Sequence, residues 1–210
     1  MEGFRDRREA GQILAELLKK YQDREDVLVL GLPRGGVPVA AEVARELRAP
    51  LDVFVVRKLG VPGHEELAFG AIASSGIRTL NRDVVDQLRL GPGDIERVTD
   101  REQAELSRRE QVYRGKRGPL EVTGRTVLLV DDGLATGATM RAAVRDLRQR
   151  DPRKVVVAVP TGAPETCRDL AMEADEVVCV MTPEYFAGVG RCYRDFSQTS
   201  DKEVEALLAG

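Results

Sequence analysis

The sequence is poor in the residues that build metal centres and disulfide frameworks. Its 210 residues include three cysteines, one histidine and no tryptophan. Because Cys167, Cys179 and Cys192 are odd in number and form no Cys-x-x-Cys pair, neither a disulfide framework nor a zinc site is indicated. We interpret the three cysteines as small apolar or surface residues.

Long apolar stretches are also missing from the sequence. No run approaches the roughly 20 residues that a membrane-spanning helix needs, and the charged run Arg5–Glu9 lacks the apolar core of a signal peptide. We therefore expect a cytoplasmic protein with no membrane partner. The formal net charge of −3 disfavours a nucleic-acid partner, although a locally positive site for a small anion is compatible with it.

Strand-like and helix-like patterns alternate along the chain, whose 42% hydrophobic and 32% charged residues suit one globular core. Such alternation predicts an α/β fold with a parallel sheet of about five strands, flanked by helices and joined by right-handed crossovers. The predicted strands are Val27–Leu30, Leu51–Val56, Val127–Val130, Val155–Val159 and Glu176–Val180, and the predicted helices cover about 5–21, Val37–Leu47, Asp94–Arg114, Ala138–Gln149 and Pro164–Met172.

The most informative segment joins an apolar strand to two acids and a loop of small residues. Parallel strands bind ligands at their carboxyl ends, and the amides and threonine hydroxyls of residues 133–139 suit a phosphate at the start of a helix. Asp131 and Asp132 would repel that phosphate, so they suit sugar hydroxyls or a divalent cation better. The alternative is an ordinary strand-turn-helix junction with solvated acids. The segment reads Val130-Asp131-Asp132-Gly133-Leu134-Ala135-Thr136-Gly137-Ala138-Thr139.

Other phosphate-binding motifs fit this segment less well. A Walker A loop has a lysine after its second glycine, whereas Gly137 is followed by Ala138. The Gly-x-Gly-x-x-Gly pattern of dinucleotide-binding proteins occurs neither here nor in Gly31–Gly36. Neither an NTPase nor an NAD enzyme is indicated.

The segment resembles the signature of type I phosphoribosyltransferases: a hydrophobic strand, two acids, two variable residues, a small residue, Thr-Gly, a small residue and Thr. The resemblance implies the type I phosphoribosyltransferase fold and phosphoribosyl pyrophosphate (PRPP) as ligand. It places Asp131 and Asp132 on the ribose 2′- and 3′-hydroxyls and near Mg²⁺, directly or through water, with residues 135–139 on the 5′-phosphate. The implied single domain over 1–210 has a core over about 22–180, a flexible loop over about 58–80 and a hood over about 181–200, with help from 1–21.

A second loop carries a cation beside two glycines. Gly35 and Gly36 let the backbone close on a ligand, and Arg34 can grip phosphate oxygens. This loop looks like the family's pyrophosphate loop, and Arg57 and Lys58 end the second predicted strand, where the family commonly places basic residues near the pyrophosphate. The alternatives are a tight turn for the glycines and solvated strand-end charges for the two basic residues.

Residues 60–76 mix small, polar and apolar residues with many turn formers, which predicts an extended hairpin or a mobile flap. Their position matches the family's flexible catalytic loop, which closes over the substrate and excludes water. His64, Glu65 and Glu66 fall in this loop. One of these residues transfers a proton in the reaction, or all three are solvent-exposed loop residues without a catalytic role; the sequence is compatible with both interpretations.

The segment 183–196 holds four of the nine aromatic residues. It is similar to the base-binding region of purine phosphoribosyltransferases, which implies base contacts from Phe186 and Ala187; packing of the hood is the alternative. Family members that act on hypoxanthine and guanine usually carry Asp where this chain has Ala135. A 6-oxopurine is therefore a doubtful substrate.

The resemblance implies a Mg²⁺-dependent pentosyltransferase that moves the phosphoribosyl group from PRPP to a nitrogenous base and releases pyrophosphate. Asp131, Asp132, Arg34 and Lys58 are the residues assigned to catalysis. A protein that binds PRPP or a nucleotide for regulation, with little catalysis, is the alternative. Relatives are often dimers, so a homodimer is compatible with the sequence.

Overall fold

The structure is a computed structural model that describes residues 3–73, 78–115 and 117–210, with only the backbone of Glu66. The described strands are β1 (Val27–Gly31), β2 (Leu51–Val53), β3 (Val56–Val61), β4 (His64–Ala73), β5 (Arg78–Leu80), β6 (Thr126–Val130), β7 (Lys154–Thr161) and β8 (Glu176–Met181). The described α-helices are α1 (Arg7–Leu17), α2 (Gly36–Leu47), α3 (Arg82–Gln87), α4 (Pro92–Arg114), α5 (Ala138–Arg148), α6 (Pro164–Leu170) and α7 (Asp201–Ala209). Short 3-10 helices cover Lys19–Tyr21 and Val189–Cys192.

Five parallel strands form the main sheet in the order β2-β1-β6-β7-β8. Every residue of β1 and β6 is buried, as expected for strands covered by helices on both faces. Alternate side chains of β6 serve opposite faces: Leu128 and Val130 pack with α1 and α2, whereas Val127 and Leu129 pack with α5 and α6. The predicted fold class is confirmed.

A second sheet stands where the sequence predicts a flexible loop or an extended hairpin. It is antiparallel, in the order β3-β4-β5, with register irregularities around Gly60. Leu59 and Phe69 are buried together with Leu106 of α4 and Val204 of α7, so this sheet has its own apolar core. Residues 74–77 lie outside the described residues. The division into core, loop and hood stays a prediction.

The predicted strand Leu51–Val56 is wrong in its second half. β2 ends at Val53, although Phe54 still donates its N–H to the carbonyl of Gly31 at 3.1 Å. The side chain of Phe54 packs with the main core, whereas Val55 packs with the antiparallel sheet. Because the apolar run Leu51–Val56 is continuous, the sequence gives no sign that the chain leaves the parallel sheet after β2 and enters the antiparallel sheet at β3.

The N-terminal helix is shorter than predicted and ends at Leu17, before the 3-10 turn. Helix α7 is absent from the predicted elements; Ser200 caps it by accepting the N–H of Glu203 at 3.2 Å. None of the helices within 3–73, 78–115 and 117–210 combines the length and apolar character needed to cross a bilayer.

Candidate active site

The loop after β6 is fixed on one side and open on the other. Leu134 donates its N–H to the carbonyl of Thr161 at the end of β7 at 2.9 Å. Thr166 Oγ1 donates to the carbonyl oxygen of Ala135 at 2.6 Å. Ala135 and Thr136 are themselves exposed. The loop therefore has a rigid support and a solvent-facing surface that a ligand can reach.

Helix α5 begins at the end of this loop without a side-chain cap. Its N-cap, Gly137, has φ of +70°, and a Cβ there would lie 2.5 Å from Thr166 Cγ2, so glycine is required. Within the described part of the chain, the amides of residues 135–139 have no hydrogen-bond partner. Uncapped amides at a helix N-terminus form an anion site.

Asp131 and Asp132 follow β6 directly and form a carboxylate pair that is largely shielded from solvent. Asp132 donates its N–H to Asp131 Oδ1 at 2.9 Å, and its own side chain is 14% exposed. Burial raises the pKa of both carboxyl groups, and the charge of Asp132 raises the pKa of Asp131 further. The pair is therefore a favourable place for a cation or for hydroxyl donors.

The glycines of the first loop pack directly against these carboxylates. A Cβ on Gly35 would lie 2.0 Å from Asp132 Oδ2, and a Cβ on Gly36 would lie 2.8 Å from Asp131 Cα. Leu32 donates its N–H to the carbonyl of Val130 at 2.9 Å, which ties this loop to β6. The two loops that the sequence suggested separately thus meet at the carboxyl ends of two neighbouring parallel strands.

Arg7 is a site residue that the sequence analysis missed. Its Nε donates to Asp132 Oδ2 at 2.8 Å, its Nη1 donates to the carbonyl of Ser197 at 2.7 Å, and its guanidinium lies 3.9 Å from the centre of the Phe196 ring. The side chain is 12% exposed. Arg5 and Arg8 beside it give the same local charge pattern, so no signal in the sequence distinguishes Arg7.

The three basic residues predicted to bind pyrophosphate differ in their contacts with other side chains. Arg34 Nη1 lies 3.8 Å from Asp201 Oδ1 of α7, a loose contact, whereas Arg57 Nε donates to Glu102 Oε2 of α4 at 2.9 Å. Lys58 is exposed. The placement of Arg57 and Lys58 at the end of the second parallel strand is wrong, because both lie in β3 of the antiparallel sheet.

The C-terminal segment is fastened to the carboxylate pair. Tyr193 donates its hydroxyl to the backbone carbonyl of Asp132 at 2.6 Å, and a Cβ on Gly133 would lie 2.6 Å from Val189. Tyr193 also packs against Phe4, with ring centres 5.5 Å apart. This packing brings residues 189–193 to the edge of the candidate site.

Phe186 and Ala187 line a cavity of about 210 Å³ beside this segment. Phe186 is half-buried and also packs against the apolar cluster around Phe4 and Cys192. Base contact and hood packing are therefore compatible with the same position. His64 and Glu65 begin β4 and are exposed; the side chain of Glu66 lies outside the described residues.

Replacing Arg7 with glutamine should destabilise the fold. The change leaves the shielded Asp132 carboxylate without its cation and removes the link to the C-terminal segment, so we expect a loss of about 3 kcal/mol in the free energy of unfolding. Urea denaturation at pH 7 measures it. Arg8→Gln is the matched control, because the Arg8 side chain is 69% exposed and its change should cost less than about 1 kcal/mol. Equal effects of the two changes would contradict the structural role of Arg7.

The geometry defines an α/β domain that brings a carboxylate pair, an anion-binding loop and an Arg-Gly-Gly loop together at its strand ends. Residues 5–195 match the Phosphoribosyl transferase domain family, and the chain belongs to this family of pentosyltransferases. A Mycobacterium tuberculosis protein named "Putative phosphoribosyl transferase Rv0571c" is 51% identical over 208 residues, covering 99% of this chain and 47% of that protein. The chain thus spans about half the length of this relative.

Further similarities agree with this assignment. The bifunctional protein PyrR of Corynebacterium diphtheriae is 30% identical over 173 residues, which are 80% of this chain and 70% of that protein. The crystal structure of TT1426 from Thermus thermophilus has a TM-score of 0.84 and 46% identity, covering 98% of this chain and 97% of that chain. A hypoxanthine phosphoribosyltransferase from Staphylococcus aureus, with a TM-score of 0.50 and 16% identity over 93% of this chain and 85% of that chain, shares the fold alone.

Proposed function

We propose that the chain transfers the 5-phosphoribosyl group from PRPP to a nitrogenous base with release of pyrophosphate. The observation that carries the proposal is the contact between Gly35–Gly36 and Asp131–Asp132. This contact brings the carboxylate pair next to a loop suited to a pyrophosphate, and the loop suited to one phosphate follows the pair on its other side. In PRPP the ribose likewise lies between the pyrophosphate and the 5′-phosphate.

Each loop has a distinct task in binding. The free amides of residues 135–139 hold the 5′-phosphate at the start of α5. Asp131 and Asp132 accept hydrogen bonds from the ribose 2′- and 3′-hydroxyls. Arg34 leaves its loose contact with Asp201 and donates to the pyrophosphate, which the backbone of Gly35 and Gly36 approaches closely.

Mg²⁺ fits the donor set when it arrives with the substrate. Within the described residues no group of three or more acidic, histidine or cysteine side chains could enclose a metal ion, but Asp131 and Asp132 supply two adjacent carboxylates. Mg²⁺ is usually held by one or two carboxylates together with substrate phosphates. When bound, it neutralises charge on the pyrophosphate. Because Asp132 Oδ2 accepts from Arg7 and Asp131 Oδ1 accepts from the N–H of Asp132, Oδ1 of Asp132 and Oδ2 of Asp131 are the oxygens left for such contacts.

The reaction breaks the bond between the anomeric carbon and the pyrophosphate oxygen and forms a bond from that carbon to a base nitrogen. The ring oxygen shares positive charge in an oxocarbenium-like transition state, which the nearby carboxylates stabilise. The electron pair of the broken bond leaves with pyrophosphate beside Arg34, and the nitrogen loses its proton to solvent or to a neighbouring base. Phe186 stacks on the base, and the exposed Lys58 supplies a further cation for the leaving group.

Arg57 and Ala135 bear on which residues contact the pyrophosphate and the base. Arg57 is paired with Glu102, and this pair holds α4 against β3. Ala135 offers no carboxylate to the base, which favours acceptors other than hypoxanthine and guanine.

A panel of bases incubated with labelled PRPP and Mg²⁺ tests the activity. We expect pyrophosphate release, together with a labelled nucleotide, with at least one nitrogenous base. If PRPP binds but no acceptor releases pyrophosphate, the alternative of a PRPP- or nucleotide-binding regulator replaces the transferase.

A further inference from the structure

An arginine-lined groove runs along α5, away from the carboxylate pair. It consists of two adjoining cavities of about 510 and 590 Å³ between α5 on one side and β4, β5 and the start of α3 on the other. The charged residues that line it are Arg78, Arg82, Asp83, Arg141, Arg145 and Arg148. We call it the arginine groove.

The groove concentrates positive charge in a chain whose net charge is −3. On α5, Arg141 and Arg145 are four residues apart and therefore lie on one face of the helix. Across the groove, Arg78 belongs to β5 and Arg82 begins α3. Asp83 is the single carboxylate in the lining of these two cavities. Guanidinium groups on both sides of one groove suit several phosphate oxygens at once.

Three of the five arginines offer donors to a ligand, whereas Arg141 donates to the carbonyl of Thr136 at 3.0 Å and Arg148 to the carbonyl of Glu173 at 3.2 Å. Arg82 has no hydrogen-bond or ion-pair partner within the described residues, and Arg78 donates there only to the Thr99 hydroxyl at 3.2 Å. Arg145 is held in place by Glu173 through its Nε and Nη2, a pair that does not use its Nη1. The groove thus offers both free and oriented guanidinium groups.

Small residues form part of the wall of the 510 Å³ cavity. Ala68, Gly70 and Ala71 of β4 face Ala142 of α5 across the space. The small side chains leave space for a flat ring, and a volume of about 510 Å³ falls in the range of small-molecule sites. Only Ala138 is shared with the loop assigned to the 5′-phosphate.

We propose that the arginine groove is a second ligand site, which binds a nucleotide through its oligophosphate chain with the base in the alanine-lined slot. The site is separate from the carboxylate pair and does not depend on the proposed transferase activity. A nucleoside di- or triphosphate has both a base for the slot and a phosphate chain for the arginines, whereas a free oligophosphate has only the phosphate chain.

ATP and inorganic tripolyphosphate are the probes, titrated calorimetrically into the full chain in the presence of saturating PRPP. We expect ATP to bind under these conditions and to bind more tightly than tripolyphosphate. Arg82→Gln should weaken ATP binding by about tenfold, since a charged hydrogen bond is lost. Because Arg82 is exposed and unpaired among the described residues, this variant should fold normally.

Two further variants sharpen the test. Arg97→Gln removes an exposed arginine of α4 that pairs with Asp94, and it should leave ATP binding unchanged. Ala68→Phe fills the slot and should weaken ATP binding more than tripolyphosphate binding. Absence of ATP binding, displacement of ATP by PRPP, or an unchanged affinity in Arg82→Gln would each overturn the site. Equal affinities for the two probes would overturn its assignment to a nucleotide.

Discussion

Replacing Asp131 with asparagine should abolish most PRPP binding while leaving the fold intact. The amide keeps the shape of the side chain and can still accept the N–H of Asp132, but it loses the charge that attracts Mg²⁺ and strengthens hydrogen bonds from the ribose. Hydrogen bonds to charged groups contribute about 1.5–3 kcal/mol, so affinity should fall about 10- to 150-fold. Calorimetric titration of PRPP with Mg²⁺ measures this loss, and chelation of Mg²⁺ should weaken the wild type far more than the variant.

The stability of the same variant separates binding from folding. Burial and the neighbouring carboxylate raise the pKa of Asp131, because both disfavour its negative charge in the folded chain. Asp131→Asn should therefore unfold at the same or a higher urea concentration than the wild type. Asp100→Asn, on the exposed surface of α4, should change neither binding nor stability. A variant that binds PRPP normally would refute the assignment of Asp131.

Replacing Gly35 with alanine should disrupt the site by a purely steric route. Gly35 has φ of −62°, which alanine adopts without strain, so the backbone itself does not oppose the change. The new Cβ would lie 2.0 Å from Asp132 Oδ2, and either the carboxylate or the loop must move. Overpacking typically costs about 1–3 kcal/mol, and we expect PRPP affinity to fall by at least about tenfold.

Gly93→Ala is the control for this experiment. A Cβ on Gly93 meets nothing within 4 Å, so its change should leave PRPP binding as it is. If Gly35→Ala bound PRPP as tightly as Gly93→Ala does, the close contact between the two loops would have no part in binding.

The loop after β6 could be predicted from sequence because all its parts are local. The apolar strand, the acids and the small residues are adjacent in the chain, and each group favours a particular local backbone conformation. The same holds for the main sheet, since alternating strands and helices leave few arrangements. The contact of Gly35 with Asp132 is different. It depends on β1 lying next to β6, so residues far apart in sequence meet only after the sheet forms.

Arg7 and Arg57 show what the sequence could not reveal. Arg7 reaches Asp132 because α1 and the C-terminal segment fold over the same strand ends, 125 positions away along the chain. The continuous apolar run before Arg57 predicts that this residue ends a parallel strand, yet its strand pairs with β4 and its guanidinium binds Glu102. In both cases the partner is set by tertiary packing, and neither neighbouring sequence nor periodicity carries that information.

A crystal structure of the chain with PRPP and Mg²⁺ tests the central claim most directly. The account predicts the 5′-phosphate on the amides of residues 135–139, the ribose hydroxyls on Asp131 and Asp132, and the pyrophosphate beside Arg34 and Gly35. A PRPP molecule bound elsewhere, with the carboxylate pair still facing only Arg7, would contradict it.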